Sequence, residues 1–154
     1  MRELRVREAT NADVDHIRDF IFGVLAEYGL PGYPDTIDAD LGDLERHYRD
    51  HGGRFEIVEG PDGALVGTVA IYRLSPDTCE LRRMYLARPC RGQGLGRWLL
   101  ERALATGRTL GFRRIELETA RQLVEAIALY QRHGFLPLER HLADCCDLAL
   151  GRDL

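Results

Sequence analysis

The stretch Arg91-Gly92-Gln93-Gly94-Leu95-Gly96 decides how the rest of this sequence is interpreted. It follows a β-rich run, Cys79 to Ala87, and leads into residues spaced like one face of a helix, from about Leu95 to Leu110. Glycine lets a backbone approach an anion closely, and the amides at a helix N-terminus favour negative charge. The stretch therefore predicts a phosphate-binding loop between a strand and a helix.

Two other phosphate-binding patterns do not match this loop. The Walker loop requires a lysine, and all 21 basic residues of the chain are arginines. The dinucleotide fingerprint, started at Gly92, requires a glycine where Arg97 stands. A third pattern fits from Arg91 to Gly96: glutamine or arginine, two residues, glycine, one residue, then glycine or alanine. The absence of lysine also excludes Schiff-base chemistry on a lysine side chain.

Through this third pattern the chain resembles the GCN5-related N-acetyltransferase (GNAT) superfamily, whose loop of this kind holds the pyrophosphate of acetyl-coenzyme A (acetyl-CoA). The flanking segments are also similar to the family: the strand before the loop, a later strand like Arg114 to Thr119, and a last helix that ends like Ala128 to Phe135. The resemblance covers the whole chain in element order and is densest from Glu80 to Phe135. It implies an acetyl-CoA-dependent N-acetyltransferase.

The order of predicted elements indicates one mixed α/β domain over residues 1–154. A strand over Glu3 to Arg7 comes first, and a helix capped near Thr10 follows it. The other predicted elements are a polar helix from Ala39 to Arg49, a hairpin of Phe55 to Glu59 with Ala64 to Leu74, a helix from Leu123 to His133, and two short strands between Phe135 and Leu150. The resemblance implies a single central, mostly antiparallel sheet of about six to seven strands, flanked by about four helices, with a parallel, splayed strand pair at the acyl-CoA site.

Composition predicts where the protein works and what it does not bind. The chain of 154 residues has a net charge of −4 and 45% hydrophobic residues, as a soluble globular domain does. It contains no apolar run of membrane-spanning length, and its N-terminus lacks the apolar core of a signal peptide. Its four cysteines form no C-x-x-C pair, and its acidity disfavours nucleic acid. We therefore expect a cytoplasmic protein without a metal, a membrane contact or a nucleic-acid partner; because relatives often dimerise, a homodimer stays open.

The resemblance assigns the donor, acetyl-CoA, to the strand and loop around Arg91. In the family the pantetheine arm pairs with the backbone of the strand before the loop, and the main chain of the loop holds the pyrophosphate. Arginine side chains add positive charge in a geometry that suits phosphate. The predicted cofactor-binding residues are Met84, Tyr85, Leu86, Arg91, Gly92, Gln93, Gly94, Leu95, Gly96, Arg97 and Thr119.

Tyr130 is the candidate for the catalytic acid. It matches the tyrosine that protonates the leaving thiolate in many family members, and a phenol is a suitable donor for that step. The alternative is that Tyr130 only packs in the core, because Leu123 and Ile127 precede it at helical spacing.

Glu80 is the first candidate for the catalytic base, and Glu118 is the second. Glu80 resembles the glutamate that serves as base in some relatives. On an alternating strand it shares a face with Arg82, Met84 and Leu86, so Arg82 could instead neutralise it.

The acceptor site is expected near the first helices and the final hairpin, where the family generally builds it. The predicted substrate-binding residues are Glu27, Tyr28, Tyr33 and Glu118. An acidic run of Asp35, Asp38, Asp40, Asp43 and Glu45, and the tail from His141 to Asp147, belong to the same regions. Acids near a cavity attract a cationic amine, although such a run is also typical of a solvated helix face.

These observations predict transfer of an acetyl group from acetyl-CoA to the primary amine of a small molecule, by direct attack in a ternary complex. Two alternatives share the loop: acetylation of a protein or peptide, and a non-catalytic acyl-CoA sensor that binds a partner protein.

Overall fold

The computed structural model describes residues 3–32, 39–140, 142 and 146–154. In chain order the helices and strands are β1 (Arg5–Glu8), α1 (Val14–Glu27), α2 (Leu44–His47), β2 (Arg54–Glu59), β3 (Leu65–Arg73), β4 (Thr78–Leu86), α3 (Leu95–Thr109), β5 (Arg114–Thr119), α4 (Val124–Arg132), β6 (Leu136–Pro137) and β7 (Leu148–Asp153). Short 3-10 turns lie at Asn11–Asp13, Ala39–Gly42, Arg49–His51 and Arg88–Cys90. No helix in these ranges is long and apolar enough to cross a membrane.

The seven strands form one sheet in the order β1-β2-β3-β4-β5-β7-β6. Every neighbouring pair is antiparallel except β4 and β5, which are parallel. The predicted fold class is therefore confirmed: a mixed, mostly antiparallel sheet with helices and a parallel strand pair at its centre.

The sheet separates two hydrophobic cores. Phe55 and Ile57 of β2 pack with helix α1, whereas Val58, the next residue, packs with helix α3. Because successive side chains of a strand point to opposite faces, α1 and α2 cover one face of the sheet while α3 and α4 cover the other. Helices therefore cover both faces of the sheet, and a separation between strands would give a ligand access to its centre.

The segment from Ala39 to Arg49 corrects one prediction, because it is not a single helix. It forms a 3-10 turn, the four-residue helix α2 and a second 3-10 turn. The carboxylate of Asp43 accepts a hydrogen bond from the amide of Arg46 at 3.2 Å, so a new helix starts at Asp43 instead of continuing through it. Elsewhere most predicted bounds agree within about one or two residues, although β7 extends to Asp153.

A β-bulge bends strand β4 in its middle. Thr68 pairs with Tyr85 and Ala70 pairs with Arg82, so Arg83 and Met84 together stand opposite one residue of β3. Arg83 has a φ of 56°, the only positive value among the non-glycine residues that the structure describes. The bulge reverses the alternation of side chains beyond Arg82.

This reversal corrects a second prediction, that Glu80 shares a strand face with Met84 and Leu86. Met84 and Leu86 pack against the α3 core, whereas Tyr85 packs against the α1 core. Glu80 and Arg82 therefore lie on the same face of β4 as Tyr85, and opposite to Met84 and Leu86.

Three buried side chains hold the bulge in place. Arg83 donates to Asp40 through Nη2 at 2.5 Å and through Nε at 3.2 Å, and the Tyr48 hydroxyl donates to the same carboxylate. Thr68 Oγ1 donates to the Arg83 carbonyl at 2.6 Å. Asp40 is only 5% exposed, so the predicted surface acid is a buried structural residue.

Candidate active site

The bulge opens a gap between the two parallel strands. Strands β4 and β5 pair only over Thr78–Glu80 and Arg114–Glu116, and beyond these residues they diverge. A cavity of about 1080 Å³ fills the gap, and it reaches from the end of α1 across β4 and the glycine-rich loop to α4. This cavity brings the loop, Tyr130, Glu80 and Glu118 to one site.

The glycine-rich loop ends at the N-terminus of α3. Gly92 and Gly94 have φ values of 75° and 79°, a conformation that favours glycine. Gly94 precedes the helix and provides no side-chain cap. The amides of residues 92–97 donate no hydrogen bond within the ranges that the structure covers. They form a cluster of free donors at the positive end of a helix dipole, which suits an anion.

Not every predicted loop residue lines the cavity. Gly92, Gly94, Gly96 and Arg97 do, whereas Gln93 and Leu95 do not. The Gln93 side chain donates to the Pro89 carbonyl at 2.9 Å and so closes the loop on itself. Arg97 is largely exposed and pairs with Glu101 at 2.8 Å along the helix.

Arg91 joins the loop to helix α1. Its Nε donates to the Leu86 carbonyl at 3.0 Å, and its Nη2 lies 2.7 Å from Glu27 Oε2. Its guanidinium also lies 5.7 Å from the centre of the Tyr28 ring. Glu27, predicted to bind substrate, thus contacts the loop and is absent from the cavity wall, while Tyr28 lines it.

The side of β4 that faces the gap has no strand partner beyond Glu80 in the described part of the chain. Met84, Tyr85 and Leu86 line the cavity at this edge, and Thr119 lines it from the end of β5. An unpaired strand edge offers backbone donors and acceptors to an extended ligand, much as it would to another strand.

Tyr130 lies on α4, where it packs in the core and also lines the cavity. Its ring is 6% exposed, packs in the α3 core and lies 5.7 Å from the Phe135 ring. It also lines the cavity, and its hydroxyl makes no hydrogen bond to another described residue. Burial raises the pKa of this phenol above its ordinary value, so at neutral pH the hydroxyl keeps its proton.

The Glu80 carboxylate is held by two arginines. Its Oε1 accepts from Arg82 Nε and its Oε2 from Arg140 Nη2, each at 2.5 Å. Arg140 also binds Glu116 at 2.7 Å and contacts Glu118. The predicted pairing of Glu80 with Arg82 is present, but Arg140 was not predicted.

The sequence contains a signal for Arg140, although an indirect one. Glu116 and Glu118 alternate on β5, and parallel pairing places Glu80 beside Glu116. Three carboxylates on one face need a cation, because unpaired buried charges are costly. Nothing in the residues around Arg140, 60 positions from Glu80, identifies it as that cation.

Some predicted residues lie outside the described ranges: Tyr33, Asp35, Asp38, His141 and Cys145. Of the other cysteines, Cys79 and Cys90 are buried, and Cys146 lines the cavity.

Comparisons with known proteins agree with this architecture. Residues 18–135 match the profile of the Acetyltransferase (GNAT) family. YjgM of Escherichia coli (strain K12), an uncharacterized N-acetyltransferase, is 39% identical over 136 residues, which cover 84% of this chain and 80% of that protein.

Solved structures share the fold at lower identity. A GNAT-family acetyltransferase from Staphylococcus aureus Mu50 matches with a TM-score of 0.90 and 21% identity, over 98% of this chain and 99% of that one. The structure of yncA from Salmonella typhimurium, which holds its cofactor acetyl-CoA, matches with a TM-score of 0.74 and 19% identity, over 97% and 93% of the two chains. The family match and the identity to YjgM lead to one conclusion: the chain belongs to the acetyltransferase (GNAT) family.

Proposed function

We propose that this protein transfers the acetyl group of acetyl-CoA to the primary amine of a small molecule, by direct attack while both substrates are bound. One observation carries the proposal: free loop amides, an unpaired strand edge and a buried tyrosine all meet at one cavity. Each of these features corresponds to one requirement of acyl transfer from a long, phosphorylated thioester.

The loop and the strand edge would bind the donor at two places. The amides of residues 92–97 would donate to the pyrophosphate, and Arg91, fixed by Glu27 and Leu86, would keep the loop close to β4. The backbone of Met84 to Leu86 would pair with the amides of the pantetheine arm. This placement directs the thioester to the wide part of the gap, between β4 and β5.

Acetyl-CoA supplies a thioester, and the protein must stabilise the charge that develops when an amine attacks it. Backbone amides on the open edge of β4 would donate to the carbonyl oxygen as it becomes an oxyanion. The Tyr130 hydroxyl, which lines the same cavity, would then give its proton to the departing thiolate sulfur.

Burial raises the pKa of the proton donor, the Tyr130 phenol, and would also raise the pKa of the thiol whose thiolate accepts the proton. It raises the pKa of Tyr130 and, elsewhere in this protein, it raises the pKa of the Cys79 thiol to about 12. A thiolate formed beside the buried Tyr130 hydroxyl would be similarly destabilised, so the phenol remains matched to it.

Glu80 would receive the amine and its proton. Arg82 and Arg140 each occupy one of its oxygens, yet a carboxylate oxygen has two lone pairs and retains capacity for an ammonium or a water. Glu118 lines the same side of the cavity and would act as the second acceptor. The proton thus leaves the amine toward a carboxylate pair already held in place.

A thermal-shift assay combined with thiol release tests the proposal. A ligand at 100 times its Kd stabilises a protein by about 2.7 kcal/mol, which raises the Tm of a domain of this size by roughly 5 to 10 °C. Acetyl-CoA should produce such a shift. S-acetylpantetheine, which lacks the phosphates, should produce a much smaller one, and amines should release free CoA thiol.

The assay distinguishes a failure of donor binding from a failure of catalysis. No shift with any acyl-CoA would overturn donor binding. A shift without thiol release from any amine would contradict catalysis and favour an acyl-CoA sensor, whereas release only with peptide amines would favour a protein acceptor.

A further inference from the structure

The acceptor side of the cavity carries more positive charge than suits a purely cationic substrate. Arg82, Arg83 and Arg140 line it, against two glutamates, Glu80 and Glu118. Asp40, behind the wall, neutralises Arg83, and Arg140 is occupied by three carboxylates. Arg82, in contrast, pairs with the Glu80 carboxylate through its Nε alone.

Arg82 is fixed in orientation on two sides. Its Nε donates to Glu80 at 2.5 Å, and its guanidinium lies 3.8 Å from the centre of the Tyr72 ring. Its two terminal nitrogens donate no hydrogen bond to any residue within the described ranges, and the side chain is 30% exposed. A guanidinium held at one edge and on one face presents its remaining donors in a set direction.

Free terminal nitrogens of an arginine match a carboxylate. The two groups form parallel, charge-assisted hydrogen bonds that are stronger than those between neutral groups. Glu80, bonded directly to the same guanidinium, presents negative charge next to this positive edge. The wall thus carries adjacent opposite charges, the complement of a molecule whose amine and carboxylate are separated by one carbon.

We propose that the acceptor is an α-amino acid, whose carboxylate binds the terminal nitrogens of Arg82 while its amine faces Glu80. This inference rests on the proposed function and specifies the class of amine. It also excludes polyamines as preferred substrates, because a second ammonium would face the arginine-rich wall.

The first test compares matched acceptors with the unmodified protein at a fixed acetyl-CoA concentration. L-amino acids are assayed beside their primary carboxamides, which keep the amine and side chain but lose the negative charge. The best amino acid should have a kcat/KM at least about 10-fold above that of its carboxamide, as expected when a hydrogen-bonded charge pair is lost. Equal values, or turnover confined to carboxamides and polyamines, would overturn the inference.

The second test removes the arginine. Arg82→Gln also removes a hydrogen bond to Glu80, so both values should fall. The value of kcat/KM for the amino acid should fall about 10-fold or more further than that for the carboxamide, so the preference disappears. Arg108→Gln, on the exposed surface of α3, is the matched control and should change neither value. Loss of both activities by the same factor in Arg82→Gln would contradict a carboxylate-binding role.

Donor binding separates this inference from the proposed function. The Tm shift with acetyl-CoA should be the same in wild type, Arg82→Gln and Arg108→Gln. A normal shift together with carboxamide turnover at the level of the amino acid leaves the proposed function intact and rejects only the amino-acid acceptor.

Discussion

Burial determines what a single side chain can do in this site. Tyr130 is a protonated, almost inaccessible phenol whose hydroxyl has no partner among the described residues, and a phenol in that state can donate a proton but cannot serve as a base. The neighbouring carboxylates differ from it in their contacts, because Glu80, Glu116 and Glu118 all bind the guanidinium of Arg140. The tyrosine hydroxyl and the carboxylates thus stand in different environments within one cavity wall.

The Tyr130 hydroxyl should matter for turnover and not for binding. Tyr130→Phe removes one oxygen and keeps the packed ring, so we expect kcat to fall by roughly 10²-fold with KM for acetyl-CoA unchanged, as for the loss of a general acid. Steady-state thiol release measures both values. An unchanged kcat, with the acetyl-CoA Tm shift intact, would assign Tyr130 to packing alone.

The buried thiol of Cys79 predicts how the free energy of unfolding depends on pH. Its thiol is fully buried, which raises its pKa to about 12. The folded state keeps this proton while the unfolded chain loses it near its ordinary value, so the contribution to stability is complete below about pH 8.5 and is lost as pH rises toward 12. The free energy of unfolding should fall by about 1.4 kcal/mol per pH unit within that window on account of this thiol.

Cys79→Ala isolates the effect. The variant is less stable than wild type near neutral pH because a buried sulfur is lost, but the difference should shrink steadily above about pH 9. Denaturant unfolding at several pH values measures it. Two parallel curves up to pH 11 would show that the thiol does not titrate as its burial requires.

At the level of secondary structure, the bulge in β4 creates the site, and one carboxylate supports the bulge. Asp40 is buried and binds both Arg83 and Tyr48. Asp40→Ala removes the buried carboxylate that binds Arg83 and Tyr48. Because removal of one partner of a buried ion pair is strongly destabilising, we expect a loss of about 3 to 5 kcal/mol in the free energy of unfolding. Denaturant titration measures the loss.

Asp50→Ala is the control for this substitution. Asp50 forms an exposed ion pair with Arg49, and such pairs contribute less than about 1 kcal/mol. Similar losses in the two variants would mean that the bulge does not depend on the buried network.

The two ends of helix α3 allow a matched test of the loop. Gly94 and Gly111 both have positive φ, 79° and 92°, and an added Cβ would meet nothing within 4 Å at either position. Gly94→Ala and Gly111→Ala should each cost about 1 to 2 kcal/mol from the same backbone strain. Only Gly94→Ala should weaken acetyl-CoA binding, by about 10-fold or more, because its methyl group stands where the phosphates approach.

Thermal-shift titration with acetyl-CoA compares these variants directly. Equal weakening of acetyl-CoA binding in Gly94→Ala and Gly111→Ala would indicate a general effect of helix strain and would contradict the role of the loop.

The elements also mark the limit of prediction from sequence. The glycine-rich loop, α3 and the strands were predictable because local spacing and glycine positions specify them. The break at Asp43 and the bulge at Arg83 were not, because both depend on side-chain contacts distant in sequence, such as that of Arg83 with Asp40. Arg140 was missed for the same reason, whereas the residues that line the cavity from the glycine-rich loop and the end of β4 stand in local sequence patterns.

Over the whole molecule, the parallel pair divides the sheet into two parts. Strands β1 to β4 form one part and β5, β7 and β6 the other, and three residue pairs at one end join them. A donor lying along the open edge of β4, as proposed, would take the place of the missing strand contacts. Backbone pairing between β4 and the pantetheine arm would then extend the sheet across its own division.

On the proposed function, each catalytic cycle would close and reopen this seam, the gap between β4 and β5. Amide hydrogen exchange should detect it: with acetyl-CoA bound, protection should rise in residues 81–86 and 117–119, on the two sides of the seam, and change little in the β1–β2 pair. Product release would then require the two parts of the sheet to separate partly at the gap. The rigidity of the three residue pairs that join β4 and β5, as well as the chemical step, would then limit kcat.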